Sequence, residues 1–124
     1  MRSKRERLKD NAWQTFSKYI RTRDKRCFTC KGGSENAGHF HHNCLDFDEE
    51  NIHGQCVRCN KYLSGNLSVY AINLLRLLGK RKFDALTIRH YRSMKSQKYD
   101  EKYYEDIIEK YKKKINDIEM KNMI

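Results

Sequence analysis

Four cysteines set the strongest constraint on what this chain can fold into. They form two pairs, Cys27-x-x-Cys30 and Cys56-x-x-Cys59, with 25 residues between the pairs. Each pair presents two thiolates from a tight turn, and two pairs complete a tetrahedral shell that suits zinc. The competing uses are two disulfides or a redox motif. A redox pair leaves the second, matching pair unexplained. Disulfides call for an oxidising destination, and the start, Met1-Arg2-Ser3-Lys4-Arg5, is basic with no apolar run behind it, unlike a secretory signal. The expectation is a closed structural zinc site that holds the fold and does no chemistry itself. At 124 residues the hydrophobic core is thin, so a metal or disulfide staple is expected. Cys44 is left over and reads as a packed or exposed free thiol.

Charge narrows the partner. Lys and Arg number 27 against 16 Asp and Glu, a formal charge of +11. The excess is uneven: residues 1–31 carry +8, residues 32–60 carry −4, residues 61–99 carry +8 and residues 100–124 carry −1. Two basic blocks around a short acidic segment are the electrostatic footprint of nucleic-acid binding. The alternative is a solvated surface that only keeps the chain soluble. A membrane partner is disfavoured: no run approaches the ~18 apolar residues of a span, and the basic blocks lack a strongly apolar opposite face. The 14 aromatic residues argue against disorder throughout.

Periodicity gives a mostly helical α+β chain. Leu8, Ala12, Phe16, Tyr19 and Ile20, with Trp13 beside them, predict an amphipathic helix over 4–25. Residues 27–34 form a turn-rich knuckle. Short strands are expected over 37–42 and 51–56, joined by a polar, acidic loop from Asn43 to Glu50. A short helix over 57–63 follows. Leu67, Tyr70, Ala71, Leu74, Leu75 and Leu78 make the next helical stripe, ended near Gly79. Phe83, Leu86, Ile88 and Tyr91 suggest another helix, and residues 100–122 a last one, striped by Tyr104, Ile108, Tyr111, Ile115 and Ile118. The organisation is one compact domain: an N-terminal basic helix (1–26), a zinc-stapled core (27–66), a basic helical region (67–95) and a charged C-terminal helix (96–124).

Four of the five histidines, His39, His41, His42 and His53, fall within 15 residues inside the zinc-bracketed segment. A stapled hairpin and helix would hold these side chains rigidly. Histidine can take a proton from water at neutral pH, and nearby carboxylate, amide or imidazole groups could hold a second cation that polarises a phosphate. On chemistry alone this is a phosphodiester-cleaving site in a DNA-binding shell, with a bare binding module as the other reading.

The order CxxC, Gly38-His39, then Asn51-x-His53-x-Gln55-Cys56-x-x-Cys59-Asn60 resembles the zinc-framed HNH, or ββα-metal, endonucleases. More closely, the stretches WQTFSKYIRTRD, AGHF and NIHGQCVRCNKYLSGN, with the Leu-rich helix after them, resemble the phage NinG/Rap recombination family over roughly residues 8–95. The frame is also similar to phage endonuclease VII. The resemblance implies a ββα-metal hairpin-helix core and a structure-specific nuclease acting on branched recombination intermediates, including Holliday junctions, in the cytoplasm of a bacterial host near its nucleoid. By that resemblance His39 would be the general base, Asn51 would brace the hairpin, and Asn60 would bind a catalytic Mg²⁺ or Mn²⁺. Cys27, Cys30, Cys56 and Cys59 would hold zinc, and His53 would be a ligand or phosphate contact.

One position departs from the family pattern. Many HNH sites place a metal-binding Asp immediately before the first His, and here that residue is Gly38. His41, two residues on, would share a strand face with His39 and serve as base or ligand. Asp46 and Asp48 are further candidates, while His42 and His90 are set aside. Arg21, Arg23 and Arg26, then Lys61, then Lys80, Arg81 and Lys82 are the expected phosphate contacts, giving affinity for branched or double-stranded DNA without reading sequence. A junction has two strands to cut, so a symmetric homodimer is economical, with the stripe of the last helix as its contact. The same stripe could equally pack back on its own domain. The remaining alternatives are a non-catalytic zinc DNA-binding protein and an HNH nuclease of ordinary duplex.

Overall fold

The computed structural model describes residues 2–93 and 99–123. The domain boundary expected at 95 and 96 lies outside the described residues. The chain is mostly helical with one two-stranded sheet: α1 (Lys4–Arg23), β1 (Asn36–His39), β2 (Ile52–Gln55), a single π-helical turn (Arg58–Tyr62), α2 (Leu67–Leu78), α3 (Lys80–Ser93) and α4 (Glu101–Asn122).

Helix α1 starts where Ser3 and Glu6 form a capping box, each side chain satisfying the other's backbone N–H. Its apolar stripe, Ala12, Phe16, Tyr19 and Ile20, is buried. Helix α4 is capped by Asp100, which accepts from Tyr103 N, and lays Tyr104, Ile108, Tyr111 and Ile115 against that stripe. Phe16 meets Tyr111 edge to face at 4.7 Å. The stripe that carried the dimer expectation is therefore buried inside the chain. It packs on α1 because two facing aromatic-aliphatic stripes bury each other.

The hairpin is antiparallel, with Gly38 opposite His53 and His39 opposite Ile52. Alternation puts neighbouring side chains on opposite faces. On one face Ile52 and Ala37 join the α1–α4 core. On the other, His53 and Gln55 face the cysteine knuckle, α2 and the loop before α2. A second small core, Tyr70, Leu74 and Leu86 with Phe28 and Phe40, joins α2 and α3 to the hairpin. Between α2 and α3 the chain turns at Gly79, whose φ of +80° suits a residue without a Cβ. Both strands are shorter than the sequence predicts. β1 stops at His39 because Asn51 takes over the backbone of the next residues with its side chain.

Candidate functional site

The four cysteines converge. The Sγ atoms of Cys27, Cys30, Cys56 and Cys59 lie within 4.8 Å of one another, and Cys30 and Cys56 are 3.6 Å apart. Tetrahedral zinc with ~2.3 Å bonds sets sulfurs roughly 3.8 Å apart, so the set fits. All five cysteines are unbridged. The ionisation of these thiols would also favour a cation among them. Burial opposes ionisation of Cys27, but the Thr29 hydroxyl and backbone N–H groups outweigh it and lower its pKa to about 6. Cys30, despite the Gly32 N–H, is pushed up by hydrogen bonds with the neighbouring thiols. Four thiols this close cannot all ionise without a positive partner.

A cleft of about 460 Å³ opens beside this cluster, lined by Ala37, His39, His42, Asn43, Asp46 and Asn60. His39 Nε2 lies 2.9 Å from Asp46 Oδ1, and the His39 ring stacks on Trp13 of α1 at 5.2 Å. The hydrogen bond to His39 leads the effects that hold the Asp46 carboxyl below its usual range. Asn60 is carried by the π-helical turn, a form that recurs at functional sites. Its Oδ1 would lie only 2.9 Å from a Cβ added at Gly38, and that Cβ would collide with Gln55 Oε1. The glycine is there because two amide side chains occupy the space a side chain would need. A carboxylate, an amide oxygen and an imidazole around one cleft form a donor set suited to Mg²⁺ or Mn²⁺.

Asn51 is wholly buried and works through the backbone. Its Oδ1 accepts from His41 N, and its Nδ2 faces the carbonyls of His41, Cys44 and Leu45 at 3.1–3.5 Å. Asn43 and Leu45 both have positive φ, +65° and +52°. Such conformations cost free energy in a non-glycine residue and persist when surroundings enforce them. Asn51 enforces this one, and so sets where Asp46 stands.

Two expected site histidines lie elsewhere. His53 is buried on the opposite face of the hairpin from His39, because neighbouring register positions point oppositely. Its ring stacks on Phe28 at 4.2 Å. Tyr70 donates its hydroxyl hydrogen to Gly38 O, leaving the oxygen to accept from His53 Nδ1 at 3.1 Å. Burial pushes the His53 pKa down to about 4, so the ring is neutral and structural. His41 falls beyond the end of β1, shares no strand face with His39, and stacks on His90 at 4.2 Å. His42, set aside on sequence, lines the cleft. Trp13 and Asp46 complete the surroundings of His39. Asp46 was visible only as one acid among several, and Trp13 only as an aromatic next to a helical stripe.

The basic residues divide in the same way. Arg21, Arg26, Lys61, Lys80, Arg81 and Lys82 are exposed. Arg23 is not a free cation. Its guanidinium donates to both oxygens of Asp24 at 2.8 Å and to Ile52 O, bracing α1 against β2. Arg89 similarly clamps Asp48 and Glu50 of the loop.

The sequence model for the NinG family, described as Bacteriophage Lambda NinG protein, matches residues 2–121. The chain belongs to the NinG family. Its relatives include the proteins named ninG of Escherichia phage 933W, 37% identical over 90 residues, of Escherichia phage lambda, 36% identical, and of Salmonella phage P22, 37% identical. Each alignment covers 65% of this chain and 44–45% of the relative. The chain thus spans under half of the length of these NinG relatives in alignment. No solved structure matches it. Among the described residues no helix is long and apolar enough to cross a membrane.

Proposed function

We propose that the chain is a metal-dependent endonuclease of the ββα-metal type, cutting phosphodiester bonds in branched DNA such as Holliday junctions. The observation that carries this reading is the meeting of His39, Asp46 and Asn60 in one cleft beside the four-cysteine cluster. The hairpin and the π-helical turn stand for the two strands and the helix of such a core, with zinc as its staple. His39 accepts the proton of the attacking water. Asp46 orients the imidazole and, with Asn60, offers oxygen donors to Mg²⁺ or Mn²⁺, so the loop supplies the carboxylate absent at Gly38. When bound, that cation would polarise the scissile phosphate and stabilise the leaving oxygen. Exposed Lys61 beside Asn60, and the basic runs at Arg21, Arg26 and Lys80–Lys82, would hold phosphates without reading bases.

The test is cleavage of a labelled four-way junction beside a matched linear duplex, with Mg²⁺ or Mn²⁺. Junction-selective cutting should fall by about 10²-fold or more in His39→Ala, the usual contribution of one proton-transfer group, and should also fall in Asp46→Asn and Asn60→Ala, which weaken the cation's donor set. Equal cutting of the duplex would make this an ordinary HNH nuclease. Tight binding of the junction without cutting under either cation would leave a zinc-stapled DNA-binding protein.

A further inference from the structure

A second cleft, of about 410 Å³, opens on the other side of the 43–48 loop. Phe47, Tyr99, Tyr103 and Tyr104 line it, with Lys9 on its rim. The Tyr99 and Tyr103 rings are stacked, 4.0 Å apart and 14° from parallel, and Phe47 meets Tyr103 edge-on at 6.2 Å. Asn43 and Asp46 border both this cleft and the one that holds His39. Asn43 and Asp46 thus stand between a ligand here and the cleft that holds His39. An aromatic wall takes flat rings by their π-faces. The acids beside it are engaged: Asp48 by Arg89 at 2.9 Å and Asp46 by His39. They disfavour a phosphate and accept hydrogen bonds from amino and imino groups, while Lys9 offers a cation at the rim.

We propose that this cleft takes one unpaired base of the DNA strand whose backbone enters the His39 cleft. The inference rests on the nuclease reading above and names how a branch is recognised. In duplex DNA every base is paired and stacked, and drawing one out costs free energy. At a branch point or flap a base is already unstacked, so the cleft fills without that cost. Duplex is then held by phosphate contacts alone.

The experiment uses the zinc-loaded protein with Ca²⁺ in place of Mg²⁺ or Mn²⁺, so that the strand stays intact. One four-way junction carries 5-iodouracil at the branch point, and a second carries it in the middle of an arm. After irradiation the crosslinked peptide is mapped. Crosslinks to Tyr99 or Tyr103 are expected from the branch-point base only. Tyr99→Ala should lose about tenfold or more of the preference for junction over duplex, while Tyr99→Phe keeps it, because the ring and not the hydroxyl does the stacking. Crosslinks to the exposed Tyr62 or Tyr91, equal crosslinking from both positions, or an unchanged preference in Tyr99→Ala would overturn the inference. If the junction is cut normally while any of these holds, only this inference falls. Crosslinks at Tyr99 or Tyr103 without cutting in Mg²⁺ would keep the base cleft and sink the nuclease. Absence of DNA binding sinks both.

Discussion

Gly38 is the residue at which local sequence and spatial surroundings say different things. By resemblance it is a missing metal ligand. In space it is the one residue type that fits between Gln55 and Asn60. Gln55 cannot simply swing away: it is wholly buried, and its Nε2 donates to Thr29 Oγ1 at 3.1 Å and Gly65 O at 2.9 Å. Restoring the family's carboxylate with Gly38→Asp should therefore harm the protein. Overpacking of this kind costs roughly 1–3 kcal/mol, and the new carboxylate would face two amide oxygens. Urea denaturation should show that loss, with Gly38→Ala destabilised in the same sense, and cleavage of the junction should not rise. A stable and more active Gly38→Asp would mean that Asp46 does not supply the carboxylate. The cysteine ligands were legible in the sequence because each pair lies within one turn and spacing alone fixes their geometry. Asp46 could be named only beside Asp48 as a further candidate, because its contact with His39 depends on a strained loop held by Asn51. The displacement of His53 and His41 from the cleft follows from strand register and strand length: one position of register turns His53 to the other face, and a strand that ends at His39 leaves His41 outside it.

Helices were the legible elements, since their stripes repeat over three to six turns, whereas four-residue strands carry too few positions to fix their ends. Sequence periodicity also leaves open what a stripe packs against, and for α4 the answer is α1. Glu49 ties these two helices to the site loop, whose Phe47 also packs against them. Glu49 accepts from Tyr19 of α1 at 2.9 Å, and from Tyr111 and Lys114 of α4 at 2.8 Å each. Burial raises the pKa of this carboxyl, but the Lys114, Tyr111 and Tyr19 bonds outweigh it and hold it below the ordinary 4.5. A carboxylate with a depressed folded-state pKa contributes stability that is fully present above its unfolded pKa and lost as pH falls through the folded one. Glu49→Gln should thus cost about 1–2 kcal/mol at pH 7, an amount set by charge-assisted bonds discounted for partial exposure. The difference from the unaltered protein should shrink below pH 4.5 and vanish once the Glu49 carboxyl is neutral in both the folded and the unfolded state. Denaturation curves between pH 3 and 7 read this directly, and a constant difference across that range would show that Glu49 acts through shape alone.

Over the whole molecule, two unequal bodies share the stability. The α1–α4 pair buries a continuous stripe of aromatic and aliphatic side chains. The hairpin has four residues per strand, and a two-stranded sheet of that size is marginal alone. The knuckle at 27–33 reaches it through the bond from Phe28 N to Gly54 O at 2.8 Å, the Gln55–Thr29 bond and the Phe28–His53 stack. A zinc ion on the four cysteines would join the knuckle to the start of the π-helical turn, and structural zinc binds with an apparent ~10–16 kcal/mol at neutral pH. That matches or exceeds the 5–15 kcal/mol by which a whole domain is stable, so metal and hairpin must fold together. The reduced protein should carry one zinc per chain. A chelator should release four reactive thiols besides Cys44 and abolish ordered signals from 27–66, His39 and Asn60 included. The α1–α4 pair should keep much of the far-ultraviolet helical signal, because its burial takes only Ile52, Ala37 and Phe47 from the hairpin and its loop. Heating the stripped protein should therefore give a broad, lower transition in place of a single cooperative one. A melting curve unmoved by chelation would mean the aromatic cores hold the hairpin unaided. Loss of all helix together with the metal would mean the two bodies are one cooperative unit, with Glu49 and Arg23 as the couplings that make them so.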